Sequence, residues 1–225
     1  MTMMKHQDII FTNSVAERLS SMIESMNCSG TFILVDENTD NHVLSKIVGK
    51  FPAIDNAAVI KVKPGDVNKN LDSLVHIWNE LQRAGANRRS LMVNLGGGMV
   101  TDMGGFAAAT FKRGIHFINV PTTLLSAVDA AVGGKTGINF NGLKNEIGSF
   151  READAVIIST CFLDTLPVEE IRSGYAEMLK HGLIDSAEAY HRLLECDVTS
   201  IDSERMLALL EAVSYTHLRA HETVL

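Results

Sequence analysis

Short apolar runs alternate with segments of helical spacing through the first half of the chain. Thr31–Val35, Ala57–Val62 and Ser90–Leu95 are rich in β-branched and apolar residues, as expected of buried strands. Apolar side chains recur every three or four residues over Val43–Val48 and Leu71–Leu81, which predicts a helix after each of the first two strands. Strands that alternate with helices predict a parallel sheet covered by helices.

The middle of the chain continues this alternation. Asp36–Asp40 is polar and follows the first strand, so it is predicted to be a turn. The next elements are predicted as a buried helix, a strand, a short helix, a loop or hairpin, and a strand: Met99–Phe111, His116–Val120, Thr123–Ala131, Gly133–Gly148 and Ala155–Ile158.

The character of the sequence changes after this last strand. Pro167–Ile184, Ser186–Cys196 and Ser203–Val213 all have helical spacing. The predicted fold class is therefore an α/β domain over residues 1–163, followed by an all-α domain that begins at residue 164 and runs to 213. Residues 214–225 do not continue the preceding apolar spacing, which favours a non-native tail, with a frayed helix end as the alternative.

Composition narrows the class of protein. The chain has 225 residues, of which 46% are hydrophobic and 21% charged, as in soluble globular proteins. Its three cysteines are widely spaced, which argues against a disulfide framework and favours reduced thiols in the cytoplasm. The start lacks the features of a signal peptide, and no apolar run approaches a membrane-spanning length. A net charge of −7 disfavours nucleic acid, so an anionic substrate would need a local cationic pocket.

Three consecutive glycines, Gly96, Gly97 and Gly98, lie between a predicted strand and a predicted helix. Backbone N–H groups at such a helix start suit a pyrophosphate, although the spacing G-x-G-x-x-G is absent. A tight turn explains the glycines equally well. Asp102, four residues later, either accepts a hydrogen bond from a cofactor or only complements the helix dipole.

Other polar residues follow at positions where parallel strands end. Thr122 and Thr123 either donate to a ribose or phosphate, or cap the next helix. Asp129 falls within an apolar helix, which is unusual unless it faces a polar pocket.

Several cations occur on glycine-bearing loops. Lys135 follows two glycines, Lys144 and Asn145 follow a third, and Arg113 ends the helix after the triple glycine. The first glycine of a G-x-x-x-x-G-K-[ST] loop is missing, so an ATPase loop is a poor match. Each cation alone is most often a solvated surface charge, but together they suit phosphate or carboxylate.

Glu177, Lys180 and His181 share one predicted helix. Glu177 and His181 are four residues apart and so lie on one face, where they either ligate a metal or form a solvated ion pair. A catalytic zinc needs about three protein ligands, and the sequence supplies one persuasive candidate.

Four segments together resemble the 3-dehydroquinate synthase family: Leu95–Gly114, Val120–Asn139, Leu143–Phe150 and Ser173–Gly182. The resemblance extends from about Phe32 to Val213. It implies a Rossmann-like N-terminal domain, a helical C-terminal domain and an active site in the cleft between them. It also implies NAD, a divalent metal (zinc, or cobalt) and a homodimer. The reaction would convert 3-deoxy-D-arabino-heptulosonate 7-phosphate to 3-dehydroquinate and phosphate, in the shikimate pathway that leads to chorismate and aromatic amino acids.

The resemblance also implies roles for individual residues. Positions that match NAD contacts are Asp66, Lys69, Gly98, Met99, Val100, Thr101, Asp102, Thr122, Thr123, Lys135, Lys144, Phe162, Leu163, Asp164 and Thr165. Positions that match substrate or catalytic contacts are Arg113, Asp129, Lys135, Lys144, Asn145 and Lys180. Glu177 matches a metal ligand, whereas His181 does not.

The chain departs from the family at its end, where the segments with the other two metal ligands, both histidines, are not found. We therefore expect an N-terminal fragment that lacks activity and leaves apolar helix faces, including Met206 and Leu210, without partners. Two rival functions remain: a related sugar-phosphate cyclase or polyol dehydrogenase, and a non-catalytic NAD-binding module.

Overall fold

The computed structural model describes residues 7–196 and 202–222. Six parallel strands form one sheet in the spatial order β1-β8-β5-β4-β2-β3, and two antiparallel strands form a separate hairpin. The strands of the sheet are β1 (Asp8–Phe11), β2 (Thr31–Asp36), β3 (Ala58–Val62), β4 (Leu91–Gly96), β5 (His116–Pro121) and β8 (Ala155–Ile158). The hairpin consists of β6 (Lys135–Phe140) and β7 (Leu143–Phe150).

Helices cover both faces of the sheet. In chain order they are α1 (Val15–Met26), α2 (Glu37–His42), α3 (Leu44–Ile47), α4 (Pro52–Asp55), α5 (Leu71–Arg83), α6 (Gly98–Thr110), α7 (Val168–Asp185), α8 (Ala187–Leu194) and α9 (Ser203–Glu222). A π-helix spans Ser126–Ala130, and single 3-10 turns span Asp66–Asn68, Phe111–Arg113 and Leu163–Thr165.

Alternation along the strands divides the core into two layers. Residues such as Leu34 and Met92 pack against α5, α6, the hairpin and the C-terminal helices. Their neighbours Ile33 and Val93 point to the opposite face and pack against α1, α3 and α4. Strands buried on both faces are expected to be apolar throughout, which is why they appear as short continuous runs in the sequence.

The chain reverses direction across the sheet between β2 and β4. From β2 it moves outward to β3, then returns to place β4 on the other side of β2 and continues outward from there. Ligands of open α/β sheets bind at the carboxyl ends of strands next to such a reversal. Gly96–Gly98 lies at the carboxyl end of β4, which puts the triple-glycine turn at this position.

Helix α6 lies unusually close to the sheet because it carries glycine where other residues would collide. A Cβ on Gly104 would clash with the side-chain amide of Asn94 and lie 2.8 Å from Leu34 Cδ2. Asn94 is itself buried and donates from Nδ2 to Asn119 Oδ1 at 2.9 Å. Asn119 in turn donates to the carbonyl of Ala131 at 3.2 Å, which fixes the end of the π-helix above β5.

The C-terminal helices share the core of the α5–α6 face. Tyr175, Met178, Met206 and Leu210 all belong to the buried cluster that includes the sheet. The prediction that Met206 and Leu210 lack partners is therefore wrong: both are at most 1% exposed. A domain boundary at residues 163/164 stays a prediction.

Most of the predicted elements are confirmed, with two corrections. Asp36–Asp40 is not a turn, since Asp36 Oδ1 accepts a hydrogen bond from the backbone of Thr39 at 2.7 Å and so caps α2. The sequence patterns also missed β1 and α1, the strand and helix before Thr31. The segment predicted as a tail continues α9 as far as Glu222, and residues 223–225 lie outside the described part. The prediction that residues 214–225 are a non-native tail stays a prediction.

None of the helices in the described ranges combines the length and the apolar character that crossing a bilayer requires.

Replacing Gly174 by alanine should weaken the packing of α7 against Leu124 and Leu125. The new Cβ would lie 2.5 Å from both Leu124 Cβ and the backbone nitrogen of Leu125, so the helix must move outward. We expect a loss of about 1–3 kcal/mol in the free energy of unfolding, measured by urea denaturation. Ser173→Ala, at an exposed position one residue earlier, should change it by less than about 0.5 kcal/mol. Equal stability of the two variants would contradict this packing.

Candidate active site at the carboxyl edge of the sheet

The triple-glycine turn leads directly into the N-terminus of α6. Gly97 is the N-cap, and the carbonyl of Gly97 accepts from the nitrogens of Val100 and Thr101 at 3.0 and 3.1 Å. The first N–H groups of a helix have no acceptor within it, so they are available to an anion. A Cβ on Gly97 would lie 3.1 Å from Thr123 Cγ2, so a larger residue here would press on the Thr123 side chain.

The two threonines after β5 differ in what they bind. The nitrogen of Thr122 donates to the carbonyl of Gly96 at 3.0 Å and ties the loop to the glycine turn. Thr123 Oγ1 accepts from the nitrogen of Ser126 at 3.2 Å and lies 2.9 Å from Ser126 Oγ. The structure thus supports the helix-capping alternative for Thr123, while also placing its side chain next to the glycines.

Lys69 connects three separate segments beside this turn. Its Nζ donates to Asp102 Oδ2 and to Asn145 Oδ1, both at 2.5 Å, and its side chain is 5% exposed. Asp102 lies on α6 and Asn145 on the hairpin. A buried ammonium is stable only when it is paired, and here a carboxylate and an amide oxygen provide the pairing.

The hairpin is shaped to bring Asn145 to this position. Asn145 has a left-handed backbone with φ of 53°, which asparagine adopts more readily than most residues. Its nitrogen donates to Asn139 Oδ1 at 2.9 Å, and the nitrogen of Asn139 donates to the carbonyl of Lys69 at 2.8 Å. Asn139 is a residue that the sequence analysis missed; its place in an asparagine-rich hairpin was the available signal.

Burial raises the pKa of Asp102, because loss of water opposes the charged form more than Lys69 favours it. Asp66 shows the opposite effect: a hydrogen bond from Lys144, whose Nζ is 3.1 Å away, lowers its pKa. Asp66 and Lys144 were both predicted to contact the cofactor, and they pair with each other at the exposed rim of the hairpin.

A cleft of about 400 Å³ lies between α6, the π-helix and the hairpin. Its lining includes Asp102, Asp129, Lys135 and Asn145. Lys135 is exposed, and its ammonium is the charge that a small anion would meet there. Four of the predicted site residues are therefore gathered around one cavity.

A second cluster adjoins this cleft through Asp129. Ligand atoms of Asp129, Glu177 and His181 all lie within 4.8 Å of one another. Glu177 Oε1 is 3.5 Å from His181 Nε2 and also forms an ion pair with Lys180. Carboxylate and imidazole are ligands that zinc accepts, so the described residues add Asp129 to the pair, Glu177 and His181, that the helical spacing had placed on one face.

Arg113 is not brought to the cleft. It follows α6 and precedes the first residue of β5, so it lies at the amino edge of the sheet, whereas the glycine turn lies at the carboxyl edge. The 13 residues of α6 span about 20 Å. The structure of this chain therefore does not bring Arg113 to the cleft, and its contact with substrate stays a prediction.

The segment Phe162–Thr165 lies at the carboxyl end of β8. The Phe162 side chain is fully buried among residues of the α1 face, and Leu163 is buried on the opposite face. Asp164 pairs with Lys46 at 2.5 Å, a partner that the sequence analysis missed because 118 residues separate the two. Any cofactor contact from Phe162 and Leu163 would therefore come from backbone atoms.

The family model for the N-terminal part of 3-dehydroquinate synthase matches residues 59–173. The chain belongs to the 3-dehydroquinate synthase family. A 3-dehydroquinate synthase of Parabacteroides distasonis is 48% identical over 92% of the chain, and one of Streptococcus pyogenes is 40% identical over 84%. The chain spans 58% and 53% of these relatives' lengths.

Solved structures agree with this family fold. A 2-deoxy-scyllo-inosose synthase superposes with a TM-score of 0.80 at 24% identity, over 92% of this chain and 59% of its own. A 2-epi-5-epi-valiolone synthase from Streptomyces hygroscopicus subsp. jinggangensis, solved with NAD+ and Zn2+, gives 0.80 at 22% identity, over 95% and 61%. These similarities establish the α/β fold of 3-dehydroquinate synthase relatives for this chain.

Lys69→Met should destabilise the protein because it leaves the carboxylate of Asp102 buried without its cation. We expect a loss of about 3 kcal/mol at neutral pH, measured by urea denaturation. The double variant Lys69→Met/Asp102→Asn also removes the unpaired carboxylate of Asp102 and should recover most of that loss of stability. A double variant as unstable as the single one would show that the ion pair is not the cause.

The loss in Lys69→Met should also depend on pH. Without the ammonium, the folded-state pKa of Asp102 rises further above its unfolded value. Stability from the bound proton is therefore present at low pH and is lost as pH rises through the folded-state pKa. The deficit relative to wild type should grow as the pH rises above the folded-state pKa of Asp102 in the wild type, whereas the double variant, which has no carboxyl at position 102, should lack this pH dependence.

Proposed function

We propose that this chain carries the nucleotide-binding part and one wall of the active site of a 3-dehydroquinate synthase. The reaction is the conversion of 3-deoxy-D-arabino-heptulosonate 7-phosphate to 3-dehydroquinate with elimination of phosphate, a carbon–oxygen lyase reaction that uses NAD and a divalent metal. The observation that carries the proposal is the cleft lined by Asp102, Lys135 and Asn145, which adjoins the cluster of Asp129, Glu177 and His181 through Asp129.

The residues present fit NAD at the glycine turn, which comes just before Asp102, a residue of the cleft lining, on α6. The glycine turn and the start of α6 suit a pyrophosphate, because backbone N–H groups and the helix dipole favour its charge. Asp102, in the next turn of α6, would accept hydrogen bonds from the cofactor. When bound, NAD supplies the acceptor and later the donor of a hydride.

The cleft and the adjoining cluster of Asp129, Glu177 and His181 fit an anionic sugar and a divalent metal. Asp129, Glu177 and His181 offer oxygen and nitrogen donors of the type that zinc or cobalt prefers. A bound metal would supply a Lewis acid at the substrate hydroxyl. Lys135 would hold the substrate's phosphate or carboxylate, and Asn145 would orient it through the amide that Lys69 fixes.

Solved structures of the same fold support these cofactors. The 2-epi-5-epi-valiolone synthase carries NAD+ and Zn2+, and a 2-deoxy-scyllo-inosose synthase carries carbaglucose-6-phosphate, NAD+ and Co2+. We extend NAD, a divalent metal and a phosphorylated sugar acid to this chain by that analogy. A homodimer of the longer protein is proposed on the family resemblance alone.

Two other functions fit the same fold. A related sugar-phosphate cyclase or polyol dehydrogenase would use the same glycine turn, and the similarity to an NAD+-bound sulfoacetaldehyde reductase, with a TM-score of 0.76, shows how widely the fold occurs. A non-catalytic NAD-binding module would need the turn alone. Lys135 and Asn145 in the cleft favour the synthase, because a simple module has no use for polar side chains around a substrate-sized cavity beside its nucleotide site.

A chimera tests the proposed reaction. It joins residues 1–213 of this chain to the remaining C-terminal part of the Parabacteroides distasonis relative. We expect it to release phosphate from the heptulosonate phosphate with no net NADH, because a synthase returns the hydride to its substrate. Lys135→Ala should lower the rate by at least about 100-fold, since it removes a charged donor from the cleft.

The matched control for Lys135 is Lys50→Ala, at an exposed position on the α4 side, which should leave the rate unchanged. Net accumulation of NADH with polyols would instead identify a dehydrogenase. NAD binding by calorimetry without turnover of any sugar phosphate would favour the non-catalytic module.

A further inference from the structure

Two buried asparagines lie side by side in the sheet beneath the cleft. Asn94 on β4 and Asn119 on β5 are register partners near the carboxyl ends of their strands. Asn94 Nδ2 donates to Asn119 Oδ1 at 2.9 Å, and Asn119 Nδ2 donates to the carbonyl of Ala131 at 3.2 Å. The two amides therefore form a chain of hydrogen bonds from the sheet to the end of the π-helix.

These amides are a poor choice if only stability matters. Asn94 is 0% exposed and Asn119 is 5% exposed, and the residues before them on the same face, Met92 and Phe117, are apolar. Asn94 Oδ1 is buried and has no hydrogen-bond donor among the residues that the structure describes. A buried amide with an unpaired atom lowers stability, whereas an apolar side chain would not. Such departures from the rules of core packing are expected where they serve a functional site.

The residue that Asn119 binds lies in the middle of one wall of the cleft. Asp129 and Val132 line the cleft on either side of Ala131, and Lys135 follows after a short turn. The nitrogen of Ala131 donates to the carbonyl of Ser126 at 3.0 Å, and its carbonyl accepts from Asn119. Ala131 therefore connects the π-helix to the sheet through its carbonyl, at the point where the lining residues project.

The opposite wall of the cleft rests on the other asparagine. Asp102, a lining residue, lies on α6, and so does Gly104. A Cβ on Gly104 would collide with Asn94 Oδ1, so α6 is in close contact with this amide. Because Asn94 contacts α6 and Asn119 binds Ala131, the hydrogen bond between the two amides connects the two walls.

We propose that Asn94 and Asn119 are positioning residues, which set the distance between α6 and the π-helix and so the width of the cleft. Neither side chain is among the residues that line the cleft, so they act through Asp102 and through Asp129 and its neighbours. The inference rests on the proposed function, since it assumes that the reaction takes place in this cleft. A displacement of about 1 Å in a catalytic arrangement can lower a rate by about 100-fold.

Hydrogen exchange of the 225-residue chain tests this connection without cofactor or substrate. Asn94→Ala/Asn119→Val removes both amides, and it keeps their combined volume similar because alanine is smaller than asparagine and valine larger. The amides of Ala127, Ala131 and Val132 should exchange at least about tenfold faster, because the bond to the sheet is lost. Asn94→Ala alone keeps that bond and should exchange as wild type does in this segment.

Stability should change in a different order from exchange. Asn119→Val leaves the amide of Asn94 buried without its acceptor and should have the lowest melting temperature. The double variant also removes that amide and should melt at a higher temperature than Asn119→Val. Asn94→Ala should melt below wild type, because Asn119 Oδ1 loses its donor.

Turnover by the chimera separates a positioning role from a structural one. The double variant should lower kcat by at least about tenfold, whereas Asn94→Ala should keep kcat within about twofold of wild type. The matched control is Ile33→Val, fully buried on the opposite face of the sheet, which should lower the melting temperature and leave kcat and exchange of the π-helix unchanged. If the role were purely structural, the loss of kcat would follow the melting temperature across all four variants.

Three results would overturn the inference. One is wild-type exchange at Ala131 and Val132 in the folded double variant. Another is a loss of kcat that follows the melting temperature. The third is a double variant that melts below Asn119→Val, because the amides would then be retained for stability. A chimera of wild-type sequence without turnover would count against the proposed reaction, and hydrogen exchange would still decide whether the amides position the π-helix.

Discussion

The buried ammonium of Lys69 is the contact on which one wall of the cleft depends. It joins the loop after β3, the first turns of α6 and the hairpin through Asp102 and Asn145. None of these three segments is held in this arrangement by regular sheet hydrogen bonds, because the hairpin is separate from the main sheet. Because the buried ammonium of Lys69 must be paired, its contacts with Asp102 and Asn145 hold these segments together as one wall of the cavity.

The glycine turn and the carboxylates of Asp129 and Glu177 favour ligands of opposite charge. At the glycine turn, backbone N–H groups and a helix dipole favour negative charge without any ionised side chain. At α7, two carboxylates favour positive charge and stand beside Lys180. Lys135, in the lining of the cleft, supplies a local cation in a chain whose net charge is −7.

The sequence predicts what depends on local pattern. Strands buried on both faces leave continuous apolar runs, so β2 to β5 and β8 were predicted within about one or two residues of their observed bounds. Lys69 was predicted as a site residue from the family resemblance. Its hydrogen bond to Asn145 was not predicted, because 76 residues separate the two in the sequence. The position of Arg113 was not predicted for a related reason: residue type suggested a phosphate contact, whereas α6 carries it to the other edge of the sheet.

The Asp129 cluster shows why spacing alone could not find the third donor. The i,i+4 rule places Glu177 and His181 on one face of α7, but it does not say what that face meets. What it meets depends on Gly174 and on the buried amides Asn94 and Asn119, which fix the end of the π-helix over β5. Each of these residues was ambiguous by itself. Their combined effect is to set the distance between two helical segments, and that distance decides whether three side chains form a site or two form an ordinary ion pair.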